Sequence, residues 1–225
     1  MQLLCGPDDN KQLFELVIPE NRSLAIMLSS GADSAILLYL ICKELLDQGR
    51  DVGEIKYIFT VPKTDGAEHH SPNIVNAINN LLGISLPQPT IFGAQDVQTL
   101  HHSVQISESI RAVFSHYDSP ETLGGLPLFL YLADQQVVPK PWIIEQGLYP
   151  PRITENPFPN NLAFPFLPFD KSHTIDLHFQ FGTEILLELS HSCTALDAGR
   201  CGACYHCGER QWAFDRLGKA DPGNN

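Results

Sequence analysis

Two groups of residues have types and spacings that could do chemistry. The first is Ser29-Ser30-Gly31-Ala32-Asp33-Ser34, a run of small and hydroxylated residues between two apolar stretches. Small side chains let a charged ligand approach the backbone, and unpaired N–H groups at a helix start attract anions. The second is Cys193, Cys201, Cys204 and Cys207, a C-x7-C-x2-C-x2-C array. Four thiolates complete a tetrahedral zinc site, and Gly199, Gly202 and Gly208 permit the turns that gather the sulfurs. The same Cys-x2-Cys-x2-Cys spacing also surrounds iron–sulfur clusters, the rival occupant. His191 and His206 lie close by, as outer partners or substitute ligands, while Cys5 and Cys42 read as structural.

The first group needs a strand before it and a helix after it. Leu24 to Leu28 is a run of five apolar residues, short enough for a buried parallel strand. From Ala35 to Leu46 the chain is apolar almost without pause, which predicts a helix running to about Gln48 and stopped by Gly49. Strand, tight turn and helix start then make an anion cradle. It lacks the Gly-Lys-Ser/Thr ending of a Walker loop and the Gly-x-Gly-x-x-Gly of a dinucleotide fold. The plainer alternative is an ordinary turn ending in a helix cap, since Ser and Asp are favoured there.

Elsewhere the pattern alternates. Met1 to Arg22 is a polar lead-in whose apolar piece, Leu13 to Ile18, reads as an edge strand. Ile55 to Val61 is aromatic and β-branched, a second strand, and leads into the polar segment Pro62 to His70. In a parallel sheet that segment lies beside the first loop, where a ribose and base could rest. Adjacent His69 and His70 need not point the same way, and they read as polar surface residues ahead of metal ligands. Ser71 to Leu82 has helical spacing ended by Gly83, and Thr90 to Phe92 is a short strand. Val97 to Phe114 is expected to be helical, irregular at His101 and His102, with Arg111 as a phosphate partner or a solvated cation. Leu126 to Val138 reads as a buried helix and Trp142 to Glu145 as the last core strand. Between Gly147 and Asp170 six prolines and several phenylalanines exclude regular helix; such a loop is a substrate lid, a dimer contact or an apolar cover. Strand–helix alternation of this kind predicts an α/β fold with a mainly parallel sheet and right-handed crossovers.

Composition narrows the function classes. The 225 residues suffice for one substantial domain, and 43% hydrophobic residues fit a packed core. A formal charge of −12, from 14 basic and 26 acidic residues, argues against nucleic acid as a partner. No apolar run is long enough to span a membrane, and no secretory signal is visible, so the expected location is the cytoplasm. Without secretory features, two disulfides are a poorer account of the four cysteines than a metal.

Taken together, the two groups resemble a known family. Ser29, Gly31, Asp33 and Ser34 match the Ser-Gly-Gly-x-Asp-Ser loop of the PP-loop ATP pyrophosphatases, with Ala32 at the free position and Ser30 replacing the first glycine. With the Cys…Cys-Gly-x-Cys-x-x-Cys tail, the chain is similar to the 7-cyano-7-deazaguanine synthases. The likeness extends to Asp170-Lys171-Ser172-His173-Thr174-Ile175, Ser192-Cys193-Thr194, Arg210, Ala213-Phe214 and Ala220-Asp221-Pro222. It is carried by Leu24 to Ile41 and Phe169 to Pro222. In the middle, the family's Gly-Tyr-Pro-Asp-Cys-Arg is here Gly147-Leu148-Tyr149-Pro150-Pro151-Arg152, without the Asp and Cys.

The resemblance implies a doubly wound α/β fold of the adenine nucleotide alpha hydrolase-like, PP-loop type. Residues 1–190 would form the ATP-binding domain and 191–225 a zinc-binding tail packed on it. It implies ATP held by Leu28, Ser29, Ser30, Gly31, Ala32, Asp33 and Ser34, with Mg²⁺ and Zn²⁺ as further cofactors. Asp33 would orient the loop or help place Mg²⁺, Lys171 would offset phosphate charge, and Arg152 or Arg111 would assist. The implied reaction takes 7-carboxy-7-deazaguanine and ammonia to the nitrile through an acyl-adenylate. Other carboxylate, amide, RNA or protein acceptors are the alternative, as is a silent nucleotide-binding homologue, the latter motivated by Ser30. The apolar proline-rich loop is compatible with a homodimer.

Overall fold

The computed structural model describes residues 1–61, 66–92, 102–117, 126–133, 135 and 160–223. Its centre is β3 (Ser23–Met27), which pairs in parallel with β4 (Ile55–Thr60) on one side and β6 (Leu128–Tyr131) on the other. The short strands β5 (Thr90–Ile91) and β7 (Leu162–Ala163) extend the sheet to the order β5-β4-β3-β6-β7, parallel throughout. Strand order therefore reverses at β3: the chain first builds outward through β4 and β5, then returns to β6. In open α/β sheets the crevice at the carboxyl ends of such strands is where ligands bind.

Both faces of β3 are covered, as its uninterrupted apolar run requires. Leu24 and Ile26 pack with α1 (Ala32–Asp47) and α2 (Ser71–Leu82), while Ala25 faces Ile110 and Val113 of α3 (His102–Tyr117). A third apolar cluster joins Ala32 at the start of α1 to Ile175, Leu187, Ala213 and Phe214. These belong to α4 (Lys171–Phe181), α5 (Glu184–Leu189) and α6 (Tyr205–Leu217). The start of α1 is thus packed against the C-terminal helices. Among the described residues no helix is long and apolar enough to cross a membrane.

Three expectations change. Leu13 to Ile18 does not edge the main sheet; β2 (Gln12–Glu15) pairs antiparallel with β1 (Gln2–Cys5) as a separate hairpin. The run from Leu126 is not a helix at its start but strand β6, because a short apolar run has no period that separates the two and contacts to β3 and β7 decide. Helix α1 begins at Ala32, three residues before the apolar run, because the loop's last residues already form its first turn. The expected strand at Trp142 to Glu145 lies outside the described residues, as do Val97 to His101 of the third helix.

Candidate functional site

The loop that follows β3 occupies the switch point. Its groups alternate in accessibility: Ser29 is exposed and Gly31 and Asp33 are half-buried, while Leu28, Ser30, Ala32 and Ser34 are buried. The Ser34 hydroxyl braces the turn, accepting from Ser29 N–H at 3.1 Å and donating to Gly31 carbonyl at 3.1 Å. Ser29 Oγ lies 3.1 Å from the same hydroxyl. The helix cap is Gly31, which offers no side chain to occupy the amides of the first turn. Those amides carry the positive end of a 16-residue helix.

Ser30 adopts the left-handed conformation at φ 63°. The motif's glycine suits that conformation without strain; serine holds it here by contacts. Gly31 is extended at φ −76°.

Asp33 and Lys171 meet beside the loop. Lys171 Nζ donates to Asp33 Oδ2 in an ion pair whose side chains are 11% and 16% exposed. The other carboxylate oxygen accepts from Thr174 Oγ1 at 2.6 Å, with Gln135 Nε2 3.5 Å away. Gln135 also donates to Thr174 Oγ1 at 3.2 Å. Asp33 thus gathers two residues of α4 and Gln135 from another segment around one carboxylate.

Helix α4 explains why Lys171 points there. Asp170 caps it, accepting from Ser172 N–H at 2.9 Å and lying 2.8 Å from His173 Nδ1. Burial alone would raise the Asp170 pKa, but the His173 and Ser172 hydrogen bonds hold it below the usual carboxylate value. Residues 171–175 are all buried although four of them are polar. Two turns on, His178 Nε2 lies 3.0 Å from Ala32 carbonyl, fastening α4 to the start of α1. Burial drives the His178 ring down to about 4, so it is neutral at physiological pH.

The second group assembles as its spacing predicts. The sulfurs of Cys193, Cys201, Cys204 and Cys207 all lie within 4.8 Å of one another, a set that could hold a metal ion such as zinc. Cys204 caps α6 and Cys207 lies in its first turn, so the helix's positive end faces the thiolates. Amide donors converge as well: Ala195 N–H on Cys193 Sγ at 3.4 Å, and Cys204 N–H on Cys201 Sγ at 3.2 Å. Burial opposes charge at Cys204, yet donors from Thr194 and Cys207 draw its thiol down to about 6. At Cys207 burial and the neighbouring sulfur push the thiol up to about 12. N–H donors and a helix start around four gathered sulfurs favour their thiolate form, the form that binds a cation. Among the described residues this is the one group of three or more potential metal ligands.

The two groups touch. His191 N–H donates to Ser30 carbonyl at 2.9 Å, and its ring stacks on His70 at 4.7 Å, nearly parallel. His70 Nε2 in turn lies 3.1 Å from the carbonyl of Asp197, inside the cysteine segment. His69 is exposed. The tail is locked down by Arg210, whose fork meets both oxygens of Asp221 at 2.7 and 2.8 Å and reaches Leu187 carbonyl at 2.8 Å.

Arg111 is exposed and pairs with Glu108 on its own helix at 2.7 Å. Arg152 and the rest of the 147–152 segment lie outside the described residues. Sequence reasoning missed Gln135 and Ser71, which carried no local signal, and gave Thr174 no role. Its position three residues after Lys171, on one helix face, was the available clue. No protein-family model matches the chain, and comparison with curated proteins returns no match.

Proposed function

We propose that the chain is an ATP-dependent ligase of the PP-loop type that converts 7-carboxy-7-deazaguanine and ammonia to 7-cyano-7-deazaguanine. The observation that carries this reading is the placement of the Ser29–Ser34 loop at the sheet's switch point with the Asp33–Lys171 pair beside it. In the first step a substrate carboxylate oxygen attacks the α-phosphorus of ATP, the bond to the β-phosphate breaks, and pyrophosphate leaves. Ammonia then attacks the acyl carbon and AMP leaves, giving the amide. The amide oxygen then attacks the α-phosphorus of a second ATP, displacing a second pyrophosphate, and loss of AMP and the two N–H protons gives the nitrile.

Each residue has a physical task in this scheme. The amides at the start of α1 and the Ser29 hydroxyl stabilise charge as it builds on the departing pyrophosphate. Lys171 supplies a cation whose position is fixed by Asp33. Because three side chains already face the Asp33 carboxylate, orienting Lys171 and the loop suits it better than binding Mg²⁺. Mg²⁺ would travel with the nucleotide. Cys193, Cys201, Cys204 and Cys207 would leave a bound zinc ion no open position, so its part would be to hold the C-terminal segment beside the loop.

The test is mass spectrometry of the protein with ATP, ammonium and 7-carboxy-7-deazaguanine, with the nitrile, AMP and pyrophosphate as expected products. A second reading, adenylation of another acceptor, is favoured by the Asp and Cys missing between Gly147 and Arg152. It predicts no nitrile but AMP formation with a different carboxylate. ATP binding without turnover on any acceptor would point to a silent nucleotide binder, and no ATP binding would remove the proposal.

A further inference from the structure

Ser30 is the one residue of the loop whose backbone fights its side chain. A Cβ makes the left-handed conformation unfavourable, and such a residue persists only where its surroundings hold it. Two elements outside the loop do so. The Ser30 hydroxyl lies 2.6 Å from Ser71 Oγ, at the first position of α2. The one Ser71 hydroxyl proton faces Thr60 Oγ1 at 3.2 Å, at the end of β4, with Leu28 carbonyl at 3.5 Å, so Ser30 is the donor in the first link. The three hydroxyls form a line buried from end to end, 0%, 0% and 2% exposed. On its other side, Ser30 carbonyl accepts from His191 N–H, two residues before the first cysteine.

We propose that the Ser30–Ser71–Thr60 hydroxyl line positions the phosphate loop, a side-chain anchor taking over what glycine's freedom supplies in the motif. Ser71 is then a positioning residue that acts through Ser30. Without Ser71 Oγ, the Ser30 hydroxyl is buried with no acceptor, and the turn relaxes toward a conformation serine prefers. With glycine at position 30 the turn needs no anchor, so Ser71 becomes dispensable. The inference rests on the reading that this loop holds phosphates.

The experiment is calorimetric titration of inorganic pyrophosphate and of ATP into the metal-bound protein. Wild type, Ser71→Ala, Ser30→Gly and the double variant are compared, with urea midpoints for each. Ser71→Ala should weaken pyrophosphate binding by about tenfold, the effect of one buried hydroxyl left without its partner. Whatever affinity Ser30→Gly shows, the double variant should match it, the Ser71 substitution adding no further loss. That match separates positioning from plain structural loss, which would add to the glycine variant's effect. Wild-type affinity in Ser71→Ala, or a double variant weaker than Ser30→Gly, overturns the proposal and leaves phosphate binding intact. Should Ser71→Ala fail to fold, the double variant decides: folded and binding like Ser30→Gly supports the anchor, unfolded overturns it. A wild type that binds neither pyrophosphate nor ATP removes the phosphate reading and this proposal together.

Discussion

Asp33 and Lys171 stand 138 residues apart in the chain, and their pairing is almost closed to solvent. An ion pair at that depth gains little over an apolar pair of the same shape, but breaking it strands a charge. Replacing Lys171 with Met removes this cation and, among the described residues, keeps Thr174 and Gln135 beside the Asp33 carboxylate. The expected cost is about 3 kcal/mol in urea unfolding, and the proposed release of pyrophosphate from ATP should fall at least about a hundredfold. His178 makes the stability of the fold depend on pH. Its folded value of about 4 lies below the ordinary histidine value of 6.5, chiefly because of burial. Between those values the unfolded chain binds a proton that the folded protein refuses. Its contribution is therefore complete above about pH 6.5 and is lost progressively as the pH falls toward 4. Urea titrations should show wild type losing roughly 1 kcal/mol per pH unit more across that window than His178→Gln, whose side chain can still donate to Ala32 carbonyl.

At the scale of elements, the polar helix α4 is the least ordinary piece. Lys171-Ser172-His173-Thr174 would pass for a surface turn by composition, yet every one of them is buried and bonded. Its interior place follows from partners far off in sequence, which explains why only a family resemblance pointed to it. Strand β3 and helices α1 and α2 were legible because long apolar runs, a cap and Gly83 mark them locally. Strand β6 was not, since Leu128-Phe129-Leu130-Tyr131 suits either state and its neighbours choose. The cysteine segment was legible from spacing alone; what spacing could not show is how Arg210 fastens it. Arg210 and Asp221 are 1% and 2% exposed, and burial of the Asp221 carboxyl is outweighed by the guanidinium's hydrogen bonds. Arg210→Leu should therefore cost about 3–5 kcal/mol. Limited proteolysis should show the cut appearing first between α5 and α6.

For the whole molecule, the cysteine cluster and the sheet are tied through shared contacts, because Ala32 packs with Ala213 and Phe214 and Ser30 is bonded to His191. One metal ion per chain is expected by elemental analysis, with zinc in place of iron and no visible absorption band. Binding that ion only in the folded state adds to folding free energy, so chelation should lower the melting temperature by about 5 °C or more. Ser substitution at any one of Cys193, Cys201, Cys204 and Cys207 should reproduce that drop and abolish the chelator's effect. An unchanged melting curve after complete metal removal would show the tail to be an independent appendage.

The long reach of the loop's contacts also has a consequence for synthesis on the ribosome. The loop emerges early, but its carboxylate waits 138 residues for Lys171 and 141 for Thr174, and its strained turn waits longer for His191. A nascent chain stalled before position 171 holds the strand, the turn and the first helix, with Thr60 and Ser71 already made but without Lys171, Thr174 and His191. The nucleotide capture proposed for this loop should thus begin only near the end of translation, and fragments released earlier should carry the Ser29–Ser34 run without it.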